Sequence, residues 1–244
     1  DAIGWDEIRD DPRFDDVFGA GQTIAFLDSG VDPLHKMFRN DAGDSRVIAG
    51  VNLAGSALAP IAPPNYADGD GHGTYVASMA AGSTLTLTFG NNLVLDQQSF
   101  DAGDQATISG VAPEADLIAV RVLNNVATGG FQAVADGLRW VRQNHQAHNI
   151  SVVNMSLGST TPHQNADDLL QPGNVFDEIA REIDALHDLG IPVVAPAGNN
   201  GETDALAFPG VLEKVITVGS SQYDPADGVA EVVSSLSNTS PTLD

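Results

Sequence analysis

Six short apolar runs, most of them closing on Gly, Asn or Asp, alternate with segments of helical period. That alternation restricts the chain to a parallel β-sheet covered by helices. The runs are Thr23 to Leu27, Arg46 to Val51, Asp116 to Val122, Val152 to Asn154, Ile191 to Pro196 and Val215 to Ser220. Between them, Phe131 to Gln146 places Phe131, Val134, Leu138 and Val141 at helical spacing. Val175 to Leu189 does the same with Phe176, Ile179, Ile183 and Leu186, and His72 to Ala81 reads as a helix that stops at Gly82. The predicted fold class is therefore α/β, in one domain of 244 residues, long enough to bury a sizeable core. Two stretches break the pattern. The Pro-rich segment Gly55 to Asp70 is a loop. Residues 83–109 read as an insertion, in which Thr84 to Phe89 alternates strictly, turns at Gly90-Asn-Asn92 and pairs with Leu93 to Leu95 as a hairpin.

Charge removes several functions at once. The chain carries 33 acidic residues, 26 of them Asp, against eight Arg and two Lys, for a formal charge of −23. A nucleic-acid-binding surface is excluded on that balance. No apolar run approaches the length of about 18 residues that a membrane span needs, so no transmembrane segment is expected. The acidic stretch Asp1 to Asp11 is the opposite of a signal-peptide n-region. With no Cys, disulfides, thiolate metal sites and Cys nucleophiles are excluded, and the chemistry must use oxygen or imidazole.

Four positions have the residue types for such chemistry. Asp28 follows the first strand and precedes Ser29-Gly30, which puts a carboxylate at the carboxyl end of a parallel strand, where open α/β sheets bind ligands. Taken alone, Asp-Ser-Gly equally suits an ordinary turn. His72 lies in Asp70-Gly-His-Gly-Thr74, at the start of a helix bearing Val76, Met79 and Ala80. Flanking glycines leave its ring accessible, and a plain surface histidine is the alternative. Asp68-Gly-Asp-Gly71 opens like a calcium loop but puts His72 at the fifth position and no Glu at the twelfth. Asn199 ends Val193-Val-Ala-Pro-Ala-Gly-Asn199 past another strand, where its amide could donate to a developing oxyanion, or simply sit in the turn Gly198-Asn-Asn-Gly201. Ser156, in Val153-Asn-Met-Ser-Leu-Gly158, lacks the Gly-Ser-Gly elbow of a nucleophile, and a strand end offering backbone hydrogen bonds is the better reading.

Together, Asp28, His72, Ser156-Leu-Gly158 and Asn199 resemble the subtilisin-like serine peptidases, the subtilases. The resemblance is carried by Ile24 to Asp32, His72-Gly-Thr-Tyr-Val-Ala77, Gly110-Val-Ala-Pro113, Val153 to Gly158 and Ala197-Gly-Asn199, and it runs from Gly19 to Asp244. It implies the subtilisin-like three-layer fold, a mostly parallel central sheet with helices on both faces. It also implies that Asp28 orients His72, that His72 is general base and then general acid, and that Asn199 is the oxyanion donor. The substrate, a peptide or protein, would add as a strand between Ser156, Leu157 and Gly158 on one side and Ala127, Thr128 and Gly129 on the other. Phe131 would border an apolar subsite, although its helical spacing also suits core packing. Ala197 and Gly198 would wall the primary pocket and Ala207 would lie near its floor. No charge occurs among these positions, which implies an apolar preference.

Three departures stand out. No Gly-Thr-Ser occurs, so the family's nucleophile is absent; Asn238-Thr-Ser-Pro241 lacks the Gly and the helix. The chain is therefore expected to be an incomplete catalytic domain, inactive alone, with the remaining C-terminal part of the domain as its partner. Met37 stands where many relatives hold calcium with an Asp, and the insertion replaces another calcium loop, which puts that site in doubt; no metal ligand is assigned and no cofactor is required. Pro196 removes an N–H from the pocket wall. The resemblance and the acidic composition imply an extracellular or cell-surface setting, since a saline medium screens self-repulsion. Two other readings compete with this one. A catalytically inactive peptide-binding or surface module differs by what replaces the serine. A dinucleotide-binding domain is disfavoured because Gly19-Ala-Gly21 precedes its strand rather than following it.

Overall fold

The computed structural model describes residues 8, 11–14, 17–55, 65–95, 98–223 and 231–239. Most of the loop expected from Gly55 to Asp70 falls at 56–64, and the chain end from Ser240 to Asp244 and most of Asp1 to Asp11 likewise lie outside the described residues.

The apolar runs pair side by side. Strand β1 (Thr23–Asp28) lies inside a six-stranded sheet, flanked by β7 (Asp116–Arg121) and then the edge strand β2 (Val47–Asn52). On its other side come β8 (Ile150–Asn154), β10 (Val193–Pro196) and the edge strand β12 (Val215–Val218). Every pairing is parallel, as the helical crossovers require.

Alternation along the strands divides the core into two layers. Ala25 and Leu27 of β1, Ile118 and Val120 of β7, Val153 and Val193 point to one face. There they bury Val134, Leu138 and Val141 of α2 (Phe131–His148) and Ile179, Ile183 and Leu186 of α3 (Val175–Asp188). Asn174 starts α3 by accepting the Asp177 N–H at 2.9 Å, with Asp177 and Glu178 placed where the helix dipole favours acids. The opposite residues, Phe26, Leu117 and Ala119, meet Ala77 and Ala81 of α1 (His72–Ala81) together with Val31 and Phe38. This second layer is only partly covered. Val215 faces α2 and α3, so Ile216 and Val218 face the side of α1, where they are 54% and 52% exposed.

The insertion departs from the expected hairpin. β3 (Leu85–Thr88) pairs not with β4 (Leu93–Leu95) but with β6 (Gln105–Ile108), and β4 pairs with β5 (Gln98–Phe100), so one hairpin is nested inside another. Cross-strand matching explains the choice. Leu85 stands opposite Ile108, the Thr86 and Thr107 hydroxyls approach to 3.3 Å, and the hydroxyls of Thr84 and Ser109 extend the match at 3.0 Å. Two small antiparallel pairs complete the inventory: β9 (Pro162–His163) with β11 (Leu206–Ala207), and β13 (Ser221–Tyr223) with β14 (Glu231–Val233).

Candidate active site

Asp28 closes β1 and is fully buried. Its main-chain oxygen accepts the N–H groups of Val122 and Leu123, at 2.9 and 3.1 Å, which locks the strand end to the segment after β7. Its Oδ1 accepts the Ser29 N–H at 2.6 Å and lies 2.7 Å from Nδ1 of His72. Burial pushes the Asp28 pKa above the usual carboxylate range, opposed by the hydrogen bonds from His72 and Ser29 and by the charge of His72. Oδ2 has no partner among the described residues. A carboxylate is acceptor-only, so its contact puts the proton of a neutral His72 on Nδ1. With 40% of the His72 side chain exposed, Nε2 is left for another group.

Local chemistry holds this pair together. Gly73 lets α1 sit directly on the strand end: a Cβ there would come within 2.1 Å of the Gly30 oxygen. Asp68 caps the approach to the helix. Its oxygens accept N–H groups of Asp70, Gly71 and Thr74 at 2.8 to 3.0 Å and the Ser29 hydroxyl at 2.9 Å. Burial alone would raise the Asp68 pKa, but the bonds from Gly71, Thr74 and Asp70 bring it below the ordinary value. Both oxygens of the residue that opens the calcium-like loop are thus engaged by protein donors, and no group of three or more metal-ligating side chains occurs among the described residues. The Ser29 hydroxyl in turn accepts the Gly73 N–H at 2.9 Å. Arg121, in register with Asp28, is 2% exposed and donates to the carbonyls of Ala67 and Leu123, at 3.0 and 3.3 Å, and to the Asn125 side chain. It ties the loop before His72 to the loop after β7.

Sequence reasoning missed Ser29, Asp68 and Arg121 as supports. Two signals were present: an Asp four residues before a helix start, and one cation closing a strand whose interior, Leu117 to Val120, is apolar.

A second group of small residues converges at the carboxyl ends of β8 and β10. A Cβ on Gly158 would stand 3.1 Å from the Phe208 oxygen and 3.3 Å from the Ala207 side chain. Ala207 donates its N–H to the Ala197 oxygen at 2.8 Å, and Ser159 donates to the Phe208 oxygen at 2.8 Å. Gly158, Ala197, Gly198 and Ala207 are thereby brought together, with Ser156 and Leu157 on the same strand exit. Behind them, Phe131, Phe176 and the fully buried Phe208 form a cluster with ring centroids 4.9 to 5.7 Å apart. Ala127, Thr128 and Gly129 form a separate tight loop, in which Ala127 has φ of 50° and the Asn124 side chain accepts the N–H groups of Val126 and Thr128. Asn199 is exposed, just beyond β10 and next to Gly198, whose φ is 114°. Pro196 lies inside β10, and the next N–H, from Ala197, donates to the Val218 oxygen at 2.8 Å. Since the strands are parallel, Asp28, Ser156 and Asn199 all follow carboxyl ends at one edge of the sheet. A groove of about 1150 Å³ lies beside β12, with Leu206, Val211, Thr217, Gly219, Val233 and Asn238 in its walls; it reaches Ala197 but neither Asp28 nor His72.

Comparison with known proteins decides the family. The profile described as the Subtilase family matches residues 19–244. The chain belongs to the subtilase family. This subtilase chain is 29% identical to the serine protease AprX of Bacillus subtilis over 230 residues, which cover 92% of the chain and 44% of AprX. It is 30% identical to a thermostable alkaline protease of Halalkalibacterium halodurans, covering 83% of the chain and 42% of that protein. Among solved structures it superposes on Sphericase with a TM-score of 0.63 at 28% identity, covering 90% of the chain and 59% of Sphericase. The subtilase fold expected from the sequence is therefore present, and the chain spans less than half the length of the two curated relatives.

Proposed function

We propose that this chain carries the Asp, His and Asn of a serine endopeptidase whose nucleophile comes from polypeptide outside the sequence. The observation that carries the reading is the 2.7 Å contact between buried Asp28 and partly exposed His72. Asp28 holds the Nδ1–H tautomer, so Nε2 takes the proton of a serine hydroxyl as that oxygen attacks the scissile carbonyl. Asp28 stabilises the imidazolium that results. The tetrahedral oxyanion receives the Asn199 amide, and His72 then returns the proton to the leaving amine, giving an acyl-enzyme that water hydrolyses by the same steps. The substrate lies as an added strand between Ser156 to Gly158 and Ala127 to Gly129, with its side chain against Ala197, Gly198 and Ala207 and Phe131 bordering a neighbouring apolar subsite.

Two further features support completion by additional chain. The half-exposed row of Ile216 and Val218 needs cover, and β12, at the end of the sheet beside the groove, has no partner strand on its outer edge among the described residues. The reading needs no cofactor. At the position of the family's calcium the residues do not fit a cation: a Cβ on Gly82 would stand 2.4 Å from the Met37 methyl, and Arg46 donates to the carbonyls of Met37, Ala81 and Ala115. No described helix is long and apolar enough to cross a membrane, and with a net charge of −23 the protein is read as extracellular or cell-surface.

Peptide substrates that differ only in the residue before the scissile bond test this function in the longer polypeptide. Leu or Phe there is expected to exceed Lys or Glu by at least about tenfold in kcat/KM. Preference for a charged residue contradicts the pocket assignment. No cleavage of any peptide, with another residue in place of the serine, makes the protein an inactive binding module instead.

A further inference from the structure

The structure assigns to Asn238 the positioning of the oxyanion donor, a role that rests on the reading of Asn199 above. The turn Gly198-Asn-Asn-Gly201 has two glycines at φ of 114° and 65°, and its Asn199 is exposed. Such a turn has little stiffness of its own. An oxyanion donor must nevertheless be held within a few tenths of an ångström before the reaction begins.

Asn238 supplies the missing constraint from the segment that returns over this turn. It is 2% exposed. Its main-chain N–H donates to the Gly198 oxygen at 3.1 Å, and its Oδ1 accepts the N–H groups of Asn200 and Glu202 at 3.0 and 3.1 Å. The residues on both sides of Asn199 are thus bonded to one residue, while the Asn199 side chain stays outside. The Asn238 amide nitrogen packs behind the turn, where a Cβ on Gly198 would come within 2.5 Å of it and 3.1 Å of Ala207. It has no acceptor among the described residues. Asn238 is itself braced. The Ser237 hydroxyl accepts the Ser220 N–H at 2.9 Å and donates to the Asn238 oxygen at 3.1 Å. On the far side Thr239 and Glu202 bond at 3.0 Å, and Gly201 donates to the Leu236 oxygen at 2.9 Å. Asn238-Thr-Ser-Pro241 lacks the Gly and the helix of a nucleophile motif; the fold gives its first residue a different task.

A double-mutant cycle in the longer polypeptide tests the assignment. Asn199→Ala is expected to lower kcat by about 10²–10³, a range taken from the same kind of donor in a subtilisin. Asn238→Ala is expected to lower kcat by about 10–50-fold while KM moves less than about threefold. In the Asn199→Ala background Asn238→Ala should then cost less than about threefold, because the group it positions is gone. Asn238→Asp keeps the acceptor oxygen and should stay within about fivefold of wild type. Amide exchange at Asn200 and Glu202 should rise in Asn238→Ala and not in Asn238→Asp. Independent, multiplicative losses in the double variant overturn the proposal, as does a rise in KM with kcat intact. Should Asn238→Ala not fold, a folded Asn238→Asp that loses about 100-fold or more overturns it equally. If Asn199→Ala keeps full kcat, the oxyanion reading of Asn199 itself fails; loss in Asn199→Ala with none in Asn238→Ala overturns the positioning role alone.

Discussion

Replacing His72 by Ala in the longer polypeptide is expected to abolish peptide hydrolysis, with kcat falling by about 10⁶, the size of the equivalent change in a subtilisin; Asp28→Asn should cost about 10⁴, the size of that change in a chymotrypsin-fold serine protease. The difference follows from geometry. In the proposed mechanism His72 moves the proton, whereas Asp28 fixes its tautomer through one 2.7 Å contact. The two variants should diverge again in stability. Because burial raises the Asp28 pKa, the folded protein holds that proton more readily than the unfolded chain. The associated stabilisation is complete below the unfolded carboxyl pKa and is lost as the pH rises through the folded value. At neutral pH the ionised, buried Asp28 therefore costs stability, and neutral Asn, which keeps an acceptor for the Ser29 N–H but can turn its amide N–H toward the His72 ring and so release the tautomer, does not. Asp28→Asn should melt above wild type at pH 7, with the gap closing as the pH falls through the folded pKa of Asp28. A gap that widens on acidification contradicts the burial argument.

The second large effect concerns the 244-residue chain by itself. It should show no peptidase turnover above the background left by an oxyanion donor alone, since the proposed acylation and deacylation both need a serine, and no Gly-Thr-Ser occurs in the sequence. The fold should also suffer. Ile216 and Val218 lie half exposed on the uncovered side of the sheet, so the isolated chain is expected to unfold over a broad range and to bind a hydrophobic dye. Robust hydrolysis, or a sharp transition from a monomer, counts against the reading.

Most of the architecture was legible because burial imposes period. The strand and helix assignments from Thr23 to Val218 correspond to observed elements with ends shifted by a few residues, and α1 runs from His72 to Ala81 as its glycine stop requires. Of the four strands in the insertion only β3 and β4 were legible, and their pairing was not. Thr84 to Phe89 has the alternation of a strand, yet its partner at Gln105 to Ile108 is chosen by cross-strand matches that a turn signal at Gly90-Asn-Asn92 does not encode. At the site, Asp28 and His72 could be named from motif and order. Their supports could not, because Asp68, Ser29 and Arg121 act through hydrogen bonds between segments far apart in the chain. Asn238 is the extreme case: in the sequence it opens Asn238-Thr-Ser-Pro241, which lacks the Gly and the helix of a nucleophile motif, and in the structure it clamps a turn nearly forty residues upstream.

The account rests on a serine outside these 244 residues working with the pair seen here. Treating the longer polypeptide with a fluorophosphonate, which reacts only with an activated serine, and mapping the labelled peptide tests that directly. The expected result is one label on a Ser C-terminal to Asp244, lost in His72→Ala. Labelling within residues 1–244, or a label that survives His72→Ala, would contradict it.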